Sequence, residues 1–477
     1  MGQVGFLVPL GEFLPAEAPP RAYLSALDQL PWQTRVTRTA TGITVERPES
    51  ESGYFHILWQ TATRGRLVLI TGTIAERAEP YILPVELARG VICRLRNQVG
   101  GWDAAGLAPP AGVTAQLKQA MQHFVVAATS QDHPTEAAAQ AQAAIEAALA
   151  GSDLLVDAFA QQAIRARKGQ AARLAILLGG SLDKVVPDRT LAEPYLAAFN
   201  SAVLPCAWSQ IEPQAGRRQW ELVDGQLAWC AAHQLRVVCG PLLDLQPVAL
   251  PDWLYLWEGD FTNILSVVTD QIRAVVTRIK GRVHLWNCAA RVNTAEALSL
   301  SEEEVLRLTV RTVETVRNID NRTPVMVTFD QPWGDYLGQL ERDLPPLHFA
   351  DALVRSDLGL AGIGLELNLG VGPESTLPRD AMELSRQLDR WAALGLPLVV
   401  LLTIPSDGEG FTSAGQLAWL RSYLQLMSAK SSVHGILWND LRDAPAPRPD
   451  SRGLLNPAGQ PKPVLSALAE FRRMQVV

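Results

Sequence analysis

Between residues 170 and 477 the chain alternates short apolar runs with amphipathic helical stretches, and few folds accept that pattern. The strand candidates are Arg173–Leu178, Ala202–Pro205, Arg236–Cys239, Val283–Trp286, Pro324–Phe329, Gly362–Leu367, Pro397–Thr403 and Val433–Trp438. Each is a brief run rich in β-branched residues. Between them, segments such as Leu222–His233, Ile264–Ile279, Glu302–Asn318, Arg379–Leu394 and Ala414–Ser428 carry the helical period. Eight such units over about 300 residues fit a (β/α)8 barrel. A doubly wound sheet fits the alternation too, but it usually carries a glycine-rich phosphate loop after an early strand. Neither a G-x-G-x-x-G nor a Walker pattern occurs here.

The preceding residues read differently. In 1–80, the runs Gly2–Leu10, Gly42–Arg47, Tyr54–Gln60 and Arg66–Ile74 are β-prone and separated by turn residues. They suggest a small antiparallel sheet or sandwich, either a structural cap or, by analogy, a carbohydrate-binding module in which Trp32, Tyr54 and Trp59 stack on sugar. Residues 81–169 turn helical. Pro84 opens the first helix, and Val113–Ala128, Pro134–Ala150 and Asp153–Arg167 follow, with Asp153 after Gly151-Ser152 as a cap. This block reads as a helical connector packed on the barrel.

Composition bounds the function. A hydrophobic fraction of 48% in 477 residues is that of a globular protein of more than one domain. A formal net charge of -7 with no long basic run argues against nucleic acid as a partner. The five cysteines form no C-x-x-C pair, and the seven histidines have no metal-like spacing, so neither a metal nor a cofactor is expected. The apolar run at the N-terminus is short and broken by Pro9 and Gly11. No stretch approaches the length of a membrane span. The expectation is a cytoplasmic protein without membrane attachment; its oligomeric state is open.

An ordered set of motifs then narrows the barrel. Phe199-Asn200 precedes Trp208 through Pro213, Gly216 and Trp220. Ala231–Gly240, Gly362–Glu366, Ala393–Pro397 and Gly435–Trp438 follow, and the chain closes with Gly453–Asn456 and Gln460–Pro463. Together these resemble glycoside hydrolase family 10, the xylanases, over about 300 residues. The resemblance implies a retaining glycosidase barrel, with one glutamate as acid/base after the fourth strand and another as nucleophile ending the seventh. It also implies that Trp438 floors the sugar site.

The departures fall on the chemistry. In the family the fourth strand closes on a tryptophan–aspartate pair and then, after two apolar residues, an asparagine–glutamate pair. Here the text is Trp286-Asn287-Cys288-Ala289-Ala290-Arg291, and no carboxylate occurs from Val283 through Thr294. The seventh strand reads LPLVVLLTIPSD, with Leu402 at the nucleophile position and Asp407 the first acid. Losing both carboxylates removes the covalent route.

Polar residues remain at other strand ends. Asp330 and Glu366, on neighbouring strands, form either a relocated acid/base pair or an ion network with Arg291 and Arg442. Trp438, Trp333 and Tyr336 are candidate stacking surfaces. Asn287, Asn439, Asp440 and Arg442 are candidate carbohydrate contacts. Three readings follow: a catalytically degenerate barrel that binds carbohydrate or acts as a scaffold, a working glycosidase with a relocated pair, and an interaction protein with an inert barrel.

Overall fold

The structure is a computed structural model that describes residues 2–48, 50–169, 171–408, 410–444 and 451–477. Its first strands are β1 (Gly2–Leu7), β2 (Tyr23–Ser25), β3 (Arg35–Arg38), β4 (Gly42–Arg47), β5 (Gly53–Gln60), β6 (Arg66–Ile74) and β7 (Tyr81–Ile82), with one helical turn, α1 (Ala18–Arg21), before β2. They make two small sheets, ordered β3-β4-β1-β7 and β2-β5-β6. The β5–β6 hairpin turns at Gly65, whose φ of 70° suits a residue without Cβ.

Three helices follow: α2 (Leu83–Ala104), α3 (Ala111–Thr129) and α4 (Pro134–Lys168). Pro84 and Pro134 stand in first turns, where no amide hydrogen is needed. The break expected at Gly151-Ser152 is absent, and Asp153 caps nothing. Ser152 donates to the Ala148 carbonyl at 3.0 Å, and a Cβ on Gly151 would lie 2.9 Å from Leu95 Cδ2. These small residues let α4 approach α2 rather than end it. The helices and the sheets share one core, in which Val4, Phe55, Trp59, Leu87, Ile92, Ile145 and Leu149 are buried together. The helical block therefore packs on the sheets as well as on the barrel.

The remaining chain is a closed eight-stranded parallel barrel. Its strands are β8 (Leu177–Ser181), β9 (Ser201–Leu204), β10 (Arg236–Cys239), β12 (Leu285–Ala290), β13 (Val325–Asp330), β14 (Gly362–Asn368), β15 (Leu398–Thr403) and β16 (Val433–Trp438), with a two-residue β11 (Leu243–Asp244) added beside β12. Pairing of β16 with β8 and of β10 with β12 closes the ring. Around it lie α5 (Arg189–Ala198), α6 (Trp208–Ile211), α7 (Glu221–Ala232), α8 (Phe261–Ile279), α9 (Glu302–Ile319), α10 (Pro346–Arg355), α11 (Ala381–Ala392), α12 (Ser413–Ala429) and α13 (Pro463–Gln475). The first strand begins four residues later than the sequence suggests, because Leu174 instead bridges to Val476. The fourth runs on to Ala290, because a register shift between Asn287 and Ala289 absorbs the extra residue.

Alternation along the strands decides which residues reach the mouth. Val203, Val238, Met326, Val399, Leu401 and Leu437 form a compact cluster of their own inside the barrel. The residues next to them along the strands, among them Val400, Leu402 and Trp438, pack outward among the helices. The N-terminal module grips the loops after β13 and β14. Tyr23 Oη donates to Asp335 at 2.7 Å, Arg379 donates to both oxygens of Asp335, and Arg21 donates to the carbonyls of Gly372 and Ser375. Among the described residues no helix is long and apolar enough to cross a membrane.

Candidate functional site at the barrel mouth

The C-terminal ends of the strands enclose a cleft with two adjoining hollows of about 600 and 760 Å³, which share Arg291, Glu366, Asn439 and Asp440. This is the face on which barrels of this kind present their ligands. Arg291 takes its place because the bulge in β12 is followed by a left-handed residue: its own φ is 55°. The guanidinium then reaches across the mouth. One nitrogen donates to Asp244 at 2.6 Å and another to Glu366.

Glu366 is held from three sides. Besides Arg291, Oε1 accepts from Asn368 Nδ2 at 2.9 Å and from Asn439 Nδ2 at 3.0 Å, and the residue is 1% exposed. Asp330 is its direct neighbour in the β13–β14 register. It is buried, accepts from the Gln331 amide at 2.8 Å, and lines neither hollow. Asn293 bonds the Asp330 backbone in both directions and also donates to Tyr336 Oη at 3.2 Å.

The charges set one another. Burial, and then the charge of Glu366, push the Asp330 carboxyl up to about 8, against the pull of Arg291. Burial likewise raises Asp244, with Arg291 opposing. For Arg291 burial works against the charged form, but Glu366, Asp244 and Asp330 outweigh it and hold the guanidinium charged above its ordinary range. Three carboxyl groups thus surround one permanent cation.

Other expected residues are placed as follows. Asn287 lines the cleft and accepts from Thr328 Oγ1 at 3.0 Å; Asn439, Asp440 and Arg442 line it as well. Arg442 stands apart from the network around Asp330 and Glu366; its backbone amide donates to Asp183 at 3.4 Å. Leu402, which the family resemblance sets at the nucleophile position, faces the helical layer, and Leu401 is the β15 residue on the cleft wall. Trp438 also faces outward, 2% exposed, with its indole donating to the Arg452 carbonyl at 3.1 Å, so it does not floor the cleft. Tyr336 is buried. Trp333 is half-buried beneath the Arg379 guanidinium, 4.4 Å from its ring centre. None of the three presents a free face at the mouth: Trp438 points into the helical layer, and Trp333 and Tyr336 lie in the loop after β13, which packs under the N-terminal module.

Two residues that shape the mouth are not among the candidates read from the sequence. The Asp183 carboxylate accepts from the Leu441 amide at 2.8 Å and ties the first strand's end to the eighth's. Its position after a strand was a signal. Asn293, which fixes Asp330, carries no local mark. Among the described residues no group of three or more histidine, cysteine or acidic side chains is arranged to hold a metal.

No family model matches the chain, and no curated protein does. Solved structures do. A family 10 glycoside hydrolase from Paenibacillus barcinonensis aligns at 17% identity over 64% of this chain and 96% of its own, with a TM-score of 0.49. Xylanase 10B from Thermotoga maritima aligns at 17% identity over 67% and 98%, with a TM-score of 0.49. Xylanase B from Clostridium stercorarium aligns at 15% identity over 65% and 98%, with a TM-score of 0.48. The barrel itself is shown by this chain's own strand pairings, which close a (β/α)8 ring.

Proposed function

We propose that this protein is a glycosidase-like barrel that has exchanged hydrolysis for binding, and that its mouth holds a carbohydrate without cleaving it. One observation carries the reading. Arg291, at the place that the sequence resemblance gives to the acid/base, is locked between Asp244 and Glu366. A guanidinium does not give up its proton in water, so it cannot protonate a leaving sugar. Glu366 spends an oxygen on three donors, and Asp330 lies beneath the cleft rather than on its wall. A relocated pair would need two carboxyl groups facing one substrate across the cleft. What the cleft wall offers instead is amide and carboxyl groups, Asn287, Gln246, Asn439 and Asp440, of the kind that hydrogen-bond sugar hydroxyls.

The test pairs two assays. Aryl β-xylosides and xylan should release no product above buffer, while xylo-oligosaccharides or other β-linked oligosaccharides should bind by calorimetry. Asn439→Ala should weaken that binding about tenfold. Hydrolysis that Glu366→Gln abolishes would overturn the proposal in favour of a relocated catalytic pair. Absence of binding across an oligosaccharide panel would favour a purely structural barrel.

A further inference from the structure

A separate cavity of about 770 Å³ opens where three parts of the chain meet: the β5–β6 turn, the middle of α4, and the loop that leads from β15 into α12. It shares no residue with the hollows of the mouth other than Phe411. Junctions between modules are favoured places for ligand pockets, because packing of separately shaped surfaces leaves space there.

Its walls differ in character. One is aromatic. Phe411 and Trp419 are half-exposed, and Trp419 is held edge-on against Tyr423, with ring centres 5.3 Å apart. Tyr423 is itself fixed by its hydroxyl, which donates to the Arg379 carbonyl at 2.7 Å. The opposite wall is acidic. Asp153 and Asp157 stand one turn apart on α4, on the same face. Asp153 is satisfied by Arg64 at 2.7 Å. Asp157 has no hydrogen-bond or ion-pair partner among the described residues, and the partial desolvation of its carboxyl, with the neighbouring Asp153, works against its charge although the residue reaches solvent. Asp380, at the base, caps α11 by accepting from the Glu383 amide at 2.8 Å.

The positive groups nearby do not answer Asp157. Arg64 is committed to Asp153 and Glu146. Arg421 lies at the far end, where this cavity adjoins the hollow between α12 and α13. A cavity that combines partly exposed aromatic side chains with an uncompensated carboxylate matches one ligand chemistry. A soft organic cation gains from the ring quadrupole and from the carboxylate together, and it loses little hydration on entering.

We propose that this junction is a second ligand site, for an organic ammonium group, with Asp157 as counter-ion and Trp419 and Phe411 as the faces it rests on. Occupancy would also bridge α4 to α12, and so tie the helical block to the barrel.

The probe is choline, set against its uncharged isostere 3,3-dimethylbutan-1-ol, on the full chain. Choline should bind by calorimetry and by saturation-transfer NMR, and the alcohol should bind at least about tenfold more weakly. Asp157→Asn and Trp419→Leu should each weaken choline by about tenfold. Asp157 is exposed on a helix surface, so its variant tests the site without disturbing the core. Equal binding of the two probes, no choline binding at tens of millimolar, or full binding by Asp157→Asn would each overturn the assignment. None of these results bears on oligosaccharide binding at the mouth, which is measured separately.

Discussion

At the scale of single residues the mouth is governed by how three carboxyl groups share one guanidinium. Asp330 holds its proton in the folded protein up to about 8, against an ordinary value of 3.8. Between those values the unfolded chain has released a proton that the folded one keeps. The stabilisation is therefore complete below pH ~4 and is lost as the pH rises toward ~8. Asp330→Asn keeps an acceptor for the Gln331 amide and removes the titration. Urea unfolding at pH 5 and pH 8 should show wild type losing stability more steeply, by up to about 1.4 kcal/mol per pH unit, and parallel lines for the two proteins would refute the assignment. Arg291→Met leaves Asp244 and Glu366 buried without their cation and should cost about 3–5 kcal/mol. Adding Glu366→Gln should recover part of that loss, since one uncompensated charge goes with it; a double variant no more stable than the single would count against the network. The arginine at position 291, and the lack of any carboxylate from Val283 through Thr294, were legible in the sequence. The clamp that Asp244 and Glu366 form on it was not, because those partners lie 47 and 75 residues away.

At the scale of elements, glycine decides how closely helices approach. Gly90 lies within α2, where a Cβ would sit 2.0 Å from the Ile70 carbonyl oxygen of β6. Alanine is the better helix former by about 1 kcal/mol, but the clash is with backbone and cannot be relieved by a rotamer change. Gly90→Ala should therefore lower stability by about 2 kcal/mol or more. At Gly151 the nearest atom is the tip of Leu95, which can move, so Gly151→Ala should be close to neutral. Paired thermal melts check the contrast, and a reversed order would show that propensity outweighs packing here. The missed continuity of α4 has a tertiary cause: Gly-Ser reads locally as a helix stop, but here the pair is buried against α2 and α3, whose packing carries the helix through it.

At the scale of the whole molecule, Tyr23 of the N-terminal sheets docks on a buried ion pair that joins two loops of the barrel. Asp335 and Arg379 are 0% and 1% exposed, and Tyr23 Oη completes the cluster. Burial opposes the charge on Asp335, but Arg379 and Tyr23 overcome it and hold the carboxyl below its usual range. Asp335→Ala would strand the Arg379 guanidinium and should cost about 3–5 kcal/mol. Because the variant also loses the Tyr23 hydrogen bond that crosses from the N-terminal sheets, calorimetry should show one unfolding transition for wild type and two for the variant; a single transition in both would mean that the shared apolar surface suffices. This docking also shapes the mouth, since it folds the loop carrying Trp333 and Tyr336 away from the cleft.

Periodicity, with the absence of a glycine-rich phosphate loop, pointed to the barrel architecture. Eight apolar runs separated by amphipathic segments leave the chain few ways to bury its strands on both faces, and that constraint is local enough to read along a line of text. The absence of a carboxylate at the end of the fourth strand was equally visible, since a strand end is defined by its neighbours in sequence. Tertiary structure alone decided which way residues face. A one-residue shift in a strand turns a side chain from the cleft to the helices, so Leu401 rather than Leu402 lines the wall and Trp438 is lost to the outer layer. It alone also decided the pairing of charges, because burial and distance, not order along the chain, set which carboxylate a guanidinium meets.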